Sequence, residues 1–116
     1  MTAKDFMIGD WVHSLQTDVD TKITNIETDG EDAVWLSDLS TFGRQFMNEI
    51  QPIPLTEEIL KKNNILYQWG YPWYQGIYDE EGIEVHFAEY CQMHLKYVHE
   101  LQHALRLLHF DIEIKL

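Results

Sequence analysis

The sequence predicts an α+β domain in which an antiparallel β-meander precedes a short helix, a second small antiparallel sheet and a C-terminal amphipathic helix. Short β-branched and aromatic runs separated by turn residues occupy the first half of the chain. A helix with start and stop signals lies near the middle, and apolar residues recur at helical spacing near the end. The length of 116 residues suits a single domain, with a β part over 1–54 and a mixed part over 55–116.

The first half is predicted to form a small barrel. We place strands over residues 6–15, 22–27, 33–36 and 44–53. The turn Asp29-Gly30-Glu31-Asp32 joins the second strand to the third, because an Asp-Gly pair supplies the positive φ of a tight hairpin. Four or five short, bent strands in about fifty residues predict an SH3-like barrel, a shape that removes exposed sheet edges.

A helix is predicted directly after the last of these strands, which the prolines of 52–54 terminate. Thr56 is a suitable N-cap, and two glutamates follow it at the positive end of the helix dipole. Two lysines lie at the negative end, before Asn63-Asn64. We therefore expect the helix to end at these asparagines.

The second half is predicted to contain more strands and a final helix. Aromatic and β-branched residues return over 65–89, interrupted by turn residues, which indicates two or three strands. Alternation continues to about Tyr97, which favours a last strand over 92–97. A helix of about three turns is expected after it, from the apolar stripe of Val98, Leu101, Ala104, Leu105 and Leu108.

The charge disfavours several kinds of partner. Twenty Asp and Glu residues against eight Lys and Arg give a net charge of −12, which repels phosphate backbones and anionic lipids. We therefore expect no direct binding of nucleic acid or membranes. An acidic mimic of nucleic acid is an alternative, although ordinary solubility explains the same charge.

The sequence predicts a cytoplasmic protein. Its start lacks the basic cap and apolar run of a signal peptide, and no stretch approaches the roughly 20 apolar residues of a membrane span. The single cysteine, Cys91, cannot form an intramolecular disulfide, which fits a reducing compartment. We interpret Cys91 as a partly buried hydrophobic residue and not as a nucleophile.

One motif could carry chemistry. Residues 99–103 spell H-E-x-x-H, which on a helix places His99 and His103 on one face as zinc ligands, with Glu100 as general base. Zinc would be a cofactor only under this hypothesis; otherwise no cofactor is expected.

The third zinc ligand is the difficulty of this hypothesis. His109 lies at the metzincin spacing, but Arg106 occupies the position of the glycine that turns the chain out of the helix. We expect the helix to continue, so that His109 points about 120° away from His103; an early break after Arg106 would bring His109 back toward the metal. An upstream ligand would have to be His86, His94 or Glu89.

A structural interpretation needs no metal. In it, the polar side of the last helix lies opposite the apolar stripe. That side consists of His99, Gln102, His103 and Arg106.

An aromatic cluster is the other candidate site. Its residues are Trp69, Tyr71, Trp73 and Tyr74, with Tyr78 nearby. They could form an exposed platform for a partner, or they could be core residues.

Three segments carry a resemblance: residues 6–12 with Gly-Asp-Trp-Val, 53–60 with Ile-Pro-Leu-Thr-Glu-Glu-Ile-Leu, and 97–103 with Tyr-Val-His-Glu-Leu-Gln-His. Together they resemble a group of small proteins from gut anaerobic bacteria and their mobile elements. The resemblance implies a compact cytoplasmic domain and no particular activity. Asn64 stands where the resemblance leads us to expect glycine after the middle helix.

These observations favour a non-enzymatic binding or accessory module that acts through contacts with another protein. The resemblance suggests that a mobile element encodes it. A minimal zinc hydrolase and the acidic mimic remain the alternatives. The sequence leaves the oligomeric state open.

Overall fold

The computed structural model describes residues 2–28, 30–37, 43–78 and 80–116. In these residues the fold is α+β, with antiparallel sheets of five and three strands and two α-helices, as the sequence predicts. The chain forms two compact units, Met1–Ile53 and Pro54–Leu116, which we call unit 1 and unit 2. A single domain over 1–116 stays a prediction.

Unit 1 contains the five-stranded antiparallel sheet, in the order β4-β3-β2-β1-β5. Two short 3₁₀ helices accompany it, over Ala3–Asp5 and Met47–Glu49. The strands are β1 Trp11–Ser14, β2 Val19–Glu27, β3 Ala33–Leu36, β4 Arg44–Phe46 and β5 Ile50–Pro52.

The longest strand, β2, belongs to both halves of this sheet. Its first half pairs with β1, for example Trp11 with Lys22, and its second half pairs with β3. The register shifts between Ile23 and Asn25, and such an irregularity bends a strand. The antiparallel pairing of β2 with β3 confirms the predicted hairpin, although Asp29 lies outside the described residues.

The predicted closed barrel is not found in the described part of the chain. The strand order has two ends, β4 and β5, and no described residue of one is paired with the other. The sheet is therefore open. A closed barrel would require β4 to pair with β5, and each of these strands has only three residues.

Two predicted strands are too long, and side chains that bond the backbone explain why. The Asp10 carboxylate accepts a hydrogen bond from the Met7 amide at 2.7 Å, which makes a turn before β1. The Glu49 carboxylate accepts one from the Phe46 amide at 3.0 Å, which separates β4 from β5 by a 3₁₀ turn. Such local bonds compete with strand pairing.

Unit 1 has a cluster of apolar core residues. The cluster consists of Phe6, Val12, Ile23, Val34, Leu36 and Ile50, with Ile26 and Met47 packed against it.

Unit 2 contains a three-stranded antiparallel sheet, ordered β6-β7-β8, and both α-helices. Its elements are α1 Glu57–Lys62, β6 Trp73–Tyr78, β7 Gly82–Ala88, β8 Cys91–Leu95 and α2 Val98–Leu107. The predicted strand content and both helices are confirmed. The core includes Leu60, Ile65, Val85, Phe87, Leu101 and Leu105.

The predicted ends of α1 are confirmed. The Thr56 hydroxyl accepts a hydrogen bond from the Ile59 amide at 3.3 Å, as an N-cap does. At the other end Asn64 has a φ of 62°, and the Ile65 amide donates back to the Leu60 carbonyl at 2.9 Å. This is a Schellman motif, in which asparagine tolerates the left-handed conformation that glycine usually occupies.

The C-terminal segment is held against the end of α1. The Asn63 side chain donates to the Lys115 carbonyl at 2.7 Å and accepts from the Lys115 amide at 2.7 Å. Ile114 beside it is buried. The two hydrogen bonds reproduce those of a strand pair, so the Asn63 side chain helps to hold the last residues of unit 2 in place.

Gly82 provides a test of the β6–β7 hairpin. Its φ is 90°, and a Cβ there would overlap the Leu95 carbonyl and lie 2.8 Å from the Lys96 nitrogen. We expect Gly82→Ala to lower the free energy of unfolding by about 2 kcal/mol or more, because backbone strain adds to the overlap. Urea denaturation measures this loss.

Gly70 in the same unit is the matched control. Its φ is 67°, and a Cβ there would meet no atom within 4 Å. Gly70→Ala should therefore cost only the left-handed strain, about 1 kcal/mol. Equal losses in the two variants would show that the overlap at Gly82 does not exist.

Candidate functional site

The two histidines of the H-E-x-x-H motif lie close together on α2. The His99 and His103 rings meet edge to face with their centroids 5.5 Å apart, as expected of residues four apart on a helix. His99 is only 4% exposed, and its ring stacks on that of Tyr97 at 5.8 Å. His103 is half-buried.

The interpretation of these residues as an exposed polar side is wrong for two of them. His99 and Gln102 are buried, whereas Arg106 is exposed. Six of the ten residues of α2 are buried, so the covered arc of the helix is wider than the apolar stripe alone. The periodicity of the sequence predicted the apolar stripe but not how much of the helix surface is buried.

The Glu100 carboxylate has a structural role at the start of α2. Its Oε1 atom accepts hydrogen bonds from the Lys96 amide at 2.8 Å and the Tyr97 amide at 3.0 Å. This is how a glutamate at the third helical position caps the preceding backbone. One of the two oxygens that a general base could use is therefore bonded to two amides.

The expectation that the helix continues through His109 is wrong. α2 ends at Leu107, and the Phe110 amide donates to the Leu105 carbonyl at 2.8 Å in a second Schellman motif. His109 has a φ of 61° and is exposed. It occupies the left-handed position that ends the helix, where histidine is among the better tolerated residues.

The described residues contain no group of three or more His, Cys, Asp or Glu side chains that could hold a metal ion. The upstream candidates His86 and His94 lie on strands β7 and β8 and bond carboxylates there. The geometry therefore gives the H-E-x-x-H motif no third protein ligand in this part of the chain.

The predicted aromatic cluster separates into exposed and buried members. Trp69 is 74% exposed, Tyr71 is also exposed, Trp73 is half-buried and Tyr74 is buried. The Tyr74 hydroxyl donates to the Glu57 carboxylate at 2.8 Å. Tyr74 is therefore a core residue, whereas Trp69 and Tyr71 belong to the surface.

The exposed aromatic residues lie on a loop that folds back onto β6. The Gln68 amide donates to the Tyr74 carbonyl at 3.0 Å, and the Tyr74 amide donates to the Leu66 carbonyl at 3.1 Å. The Tyr67 and Tyr74 rings meet edge to face at 5.6 Å. These bonds fix the loop 66–71 against the sheet, so its exposed side chains have a defined support.

A row of side chains crosses the three strands beside this loop. The Tyr71 ring lies 6.3 Å from that of Trp73, and Trp73 stacks on His86 at 4.0 Å with an interplanar angle of 5°. The Glu84 carboxylate bonds His86 at 2.7 Å and His94 at 3.3 Å. His94 stacks on Tyr78 at 5.3 Å.

We call the loop and the row together the aromatic surface: Tyr67, Trp69, Tyr71, Trp73, Tyr78, Glu84, His86 and His94. Sequence reasoning missed Tyr67 and the last three members. Glu84 and His86 alternate on β7, and alternate residues share a sheet face. The register that places His94 opposite Glu84 could not be read without the structure.

The carboxylate at the centre of the row is held ionised. Hydrogen bonds from His86 first and His94 second lower the pKa of Glu84 below its ordinary value of 4.5. The Glu84 side chain is only 13% exposed, so these two bonds replace most of its contact with water. The row therefore places a negative charge beside stacked rings.

Comparisons of the chain with models of protein families, with curated proteins and with solved structures found no match. Any functional argument therefore depends on the residues themselves. Neither helix of the described residues is both long enough and apolar enough to span a membrane.

The capping role of Glu100 can be tested by substitution. Glu100→Ala should lower the free energy of unfolding by about 1 kcal/mol, because two amides lose their acceptor. Glu100→Gln keeps an acceptor oxygen and should lose less. Urea denaturation of the two variants measures the difference, and equal losses would contradict the capping role.

The lowered pKa of Glu84 predicts a pH dependence of stability. Because its pKa is lower in the folded state, ionised Glu84 stabilises the fold fully above pH 4.5, and this contribution disappears as the pH falls through the folded-state pKa. Glu84→Gln should therefore show a weaker loss of stability on acidification. Urea denaturation from about pH 6 to pH 3 measures it.

Glu89→Gln is the matched control, since Glu89 is an exposed glutamate between β7 and β8. It should keep the pH dependence of the unsubstituted protein. A wild-type slope in Glu84→Gln would show that the two histidines do not stabilise the Glu84 carboxylate.

Proposed function

We propose that this chain is a small, non-enzymatic cytoplasmic binding module that contacts another protein through the aromatic surface of unit 2. The observation that carries the proposal is the exposure of Tyr67, Trp69 and Tyr71 within one six-residue loop. Folded proteins rarely leave adjacent large aromatic side chains in water unless a partner covers them. Trp and Tyr are also enriched where protein partners bind most strongly.

The support of the loop strengthens the proposal. Two backbone hydrogen bonds and the ring of Tyr67 fix the loop to Tyr74. A surface already held in one conformation loses less entropy when a partner binds. The exposed indole of Trp69 is therefore presented at little conformational cost.

The zinc hydrolase is the weaker candidate on the same geometry. One of the two Glu100 carboxylate oxygens is bonded to two amides, and His99 is buried. The described residues supply no third ligand. A catalytic zinc needs three protein ligands and an open position. All three motif residues have structural contacts that account for them.

Three further features bear on the proposal: the topology of unit 1, the resemblance to proteins of mobile elements, and the single cysteine. The order of the five strands, the bent β2 and the 3₁₀ turn between β4 and β5 support the proposal of an SH3-like meander in unit 1, without a closed barrel in the described residues. The resemblance to proteins of mobile elements in gut anaerobes favours an accessory protein of such an element. The single cysteine fits the cytoplasm.

The proposal predicts that one double substitution strongly weakens partner binding. Immobilised wild-type chain should retain a protein from a lysate of the native host that Trp69→Ala/Tyr71→Ala does not retain. The retained protein is then purified, and its affinity for both chains is measured by calorimetry. Loss of the two aromatic side chains should weaken binding by about a hundredfold, as hot-spot residues do.

Tyr90→Ala is the matched control. Tyr90 is 94% exposed, lies in the turn between β7 and β8 and belongs to the same unit, but it is outside the aromatic surface. Its removal should leave binding unchanged. If the purified protein binds the double variant as tightly as the wild type, the aromatic surface is not the contact.

A further inference from the structure

We infer that the aromatic surface binds a segment of the partner protein that is rich in arginine and lysine. The inference rests on the proposed function, because it names the chemistry of the partner at the same surface. It is carried by the charge of this part of the chain, by its exposed rings and by the carboxylates among them.

The charge is one-sided along the sequence segment that carries the aromatic surface. Between Lys62 and Lys96 the sequence contains no lysine or arginine, but five aspartates and glutamates and eight aromatic residues. The whole chain carries −12. A negative field of this kind draws cationic partners and raises their association rate.

The exposed rings suit a cation. Trp69 and Tyr71 present most of their side chains to water, and the indole ring is the best of the protein side chains at attracting a guanidinium or ammonium group. The arginine side chain also stacks on aromatic faces through its planar head. A basic segment could therefore cover these rings without leaving its charges in an apolar site.

A carboxylate that a basic segment could reach lies beside the row. Glu81 is 3.2 Å from His94, and its side chain is 65% exposed. Both oxygens of Glu84 already bond histidines and its side chain is only 13% exposed, so Glu84 adds charge to the surface and offers no direct contact. The exposed rings and Glu81 together provide both kinds of contact that a guanidinium makes.

Other occupants fit less well. A second copy of this chain would carry another net charge of −12, and like charges repel. Nucleic acid and anionic lipids are repelled for the same reason. A neutral sugar could stack on Trp69, but it would gain nothing from the one-sided charge.

The test uses the whole chain and a hexa-arginine peptide with blocked ends, measured by calorimetry at about 50 mM salt, where screening is weak. We expect binding that Trp69→Ala/Tyr71→Ala weakens by about tenfold, the effect of two cation–π contacts. Tyr90→Ala should leave it within about twofold. Circular dichroism confirms that each variant is folded, and Trp69→Ala alone serves if the double variant is not.

Three results would overturn the inference. Hexa-arginine could fail to bind at about millimolar concentration. It could bind the double variant and the wild type equally, which would mean general attraction to an acidic protein. Alternatively, the double substitution could convert a dimer to a monomer in sedimentation, which would assign the surface to a second copy.

The test separates this inference from the proposed function. If a purified partner loses affinity for the double variant while hexa-arginine does not bind, the aromatic surface is a contact and only its preference for cations is wrong. If neither the partner nor the peptide responds to the double substitution, both proposals fail. A neutral oligosaccharide that binds through Trp69 would also overturn both.

Discussion

The organisation of unit 2 depends on Tyr74. Its backbone amide and carbonyl bond the loop 66–71, its ring lies against that of Tyr67, and its hydroxyl donates to the Glu57 carboxylate of α1. Burial, and secondarily the bond to Glu57, raises the pKa of the Tyr74 phenol, so it stays protonated and keeps its donor. One buried side chain thus connects the sheet, the first helix and the loop that carries the exposed rings.

Sequence reasoning succeeded where the physical cause is local. Thr56 and Asn64 specify the ends of α1 through bonds within a few residues, and such bonds can be read from composition and spacing. The strands of the first half were less predictable, because Asp10 and Glu49 bond nearby amides and interrupt runs whose composition favours strands. Whether the sheet closes depends on pairing between distant strands, which no local pattern contains.

The candidate site shows the same division. Sequence proximity indicated the aromatic cluster, but only tertiary packing buries Tyr74 while leaving Trp69 in water. His86 and His94 were considered only as metal ligands, since nothing in the spacing predicted that both would bond Glu84. Burial of His99 was likewise hidden, because the width of the covered arc of α2 depends on what packs around it.

The H-E-x-x-H motif shows why a short pattern needs its structural context. Glutamate at the third helical position and a residue that tolerates positive φ after the last turn are ordinary requirements of helix ends, and Glu100 and His109 meet them. A short helix with these ends can match the letters of a zinc site by chance. The aromatic surface, by contrast, leaves Trp69 and Tyr71 in water within a segment that contains acidic residues and no lysine or arginine, an arrangement that neither capping nor core packing requires. The proposed binding of a cationic partner would use both features together.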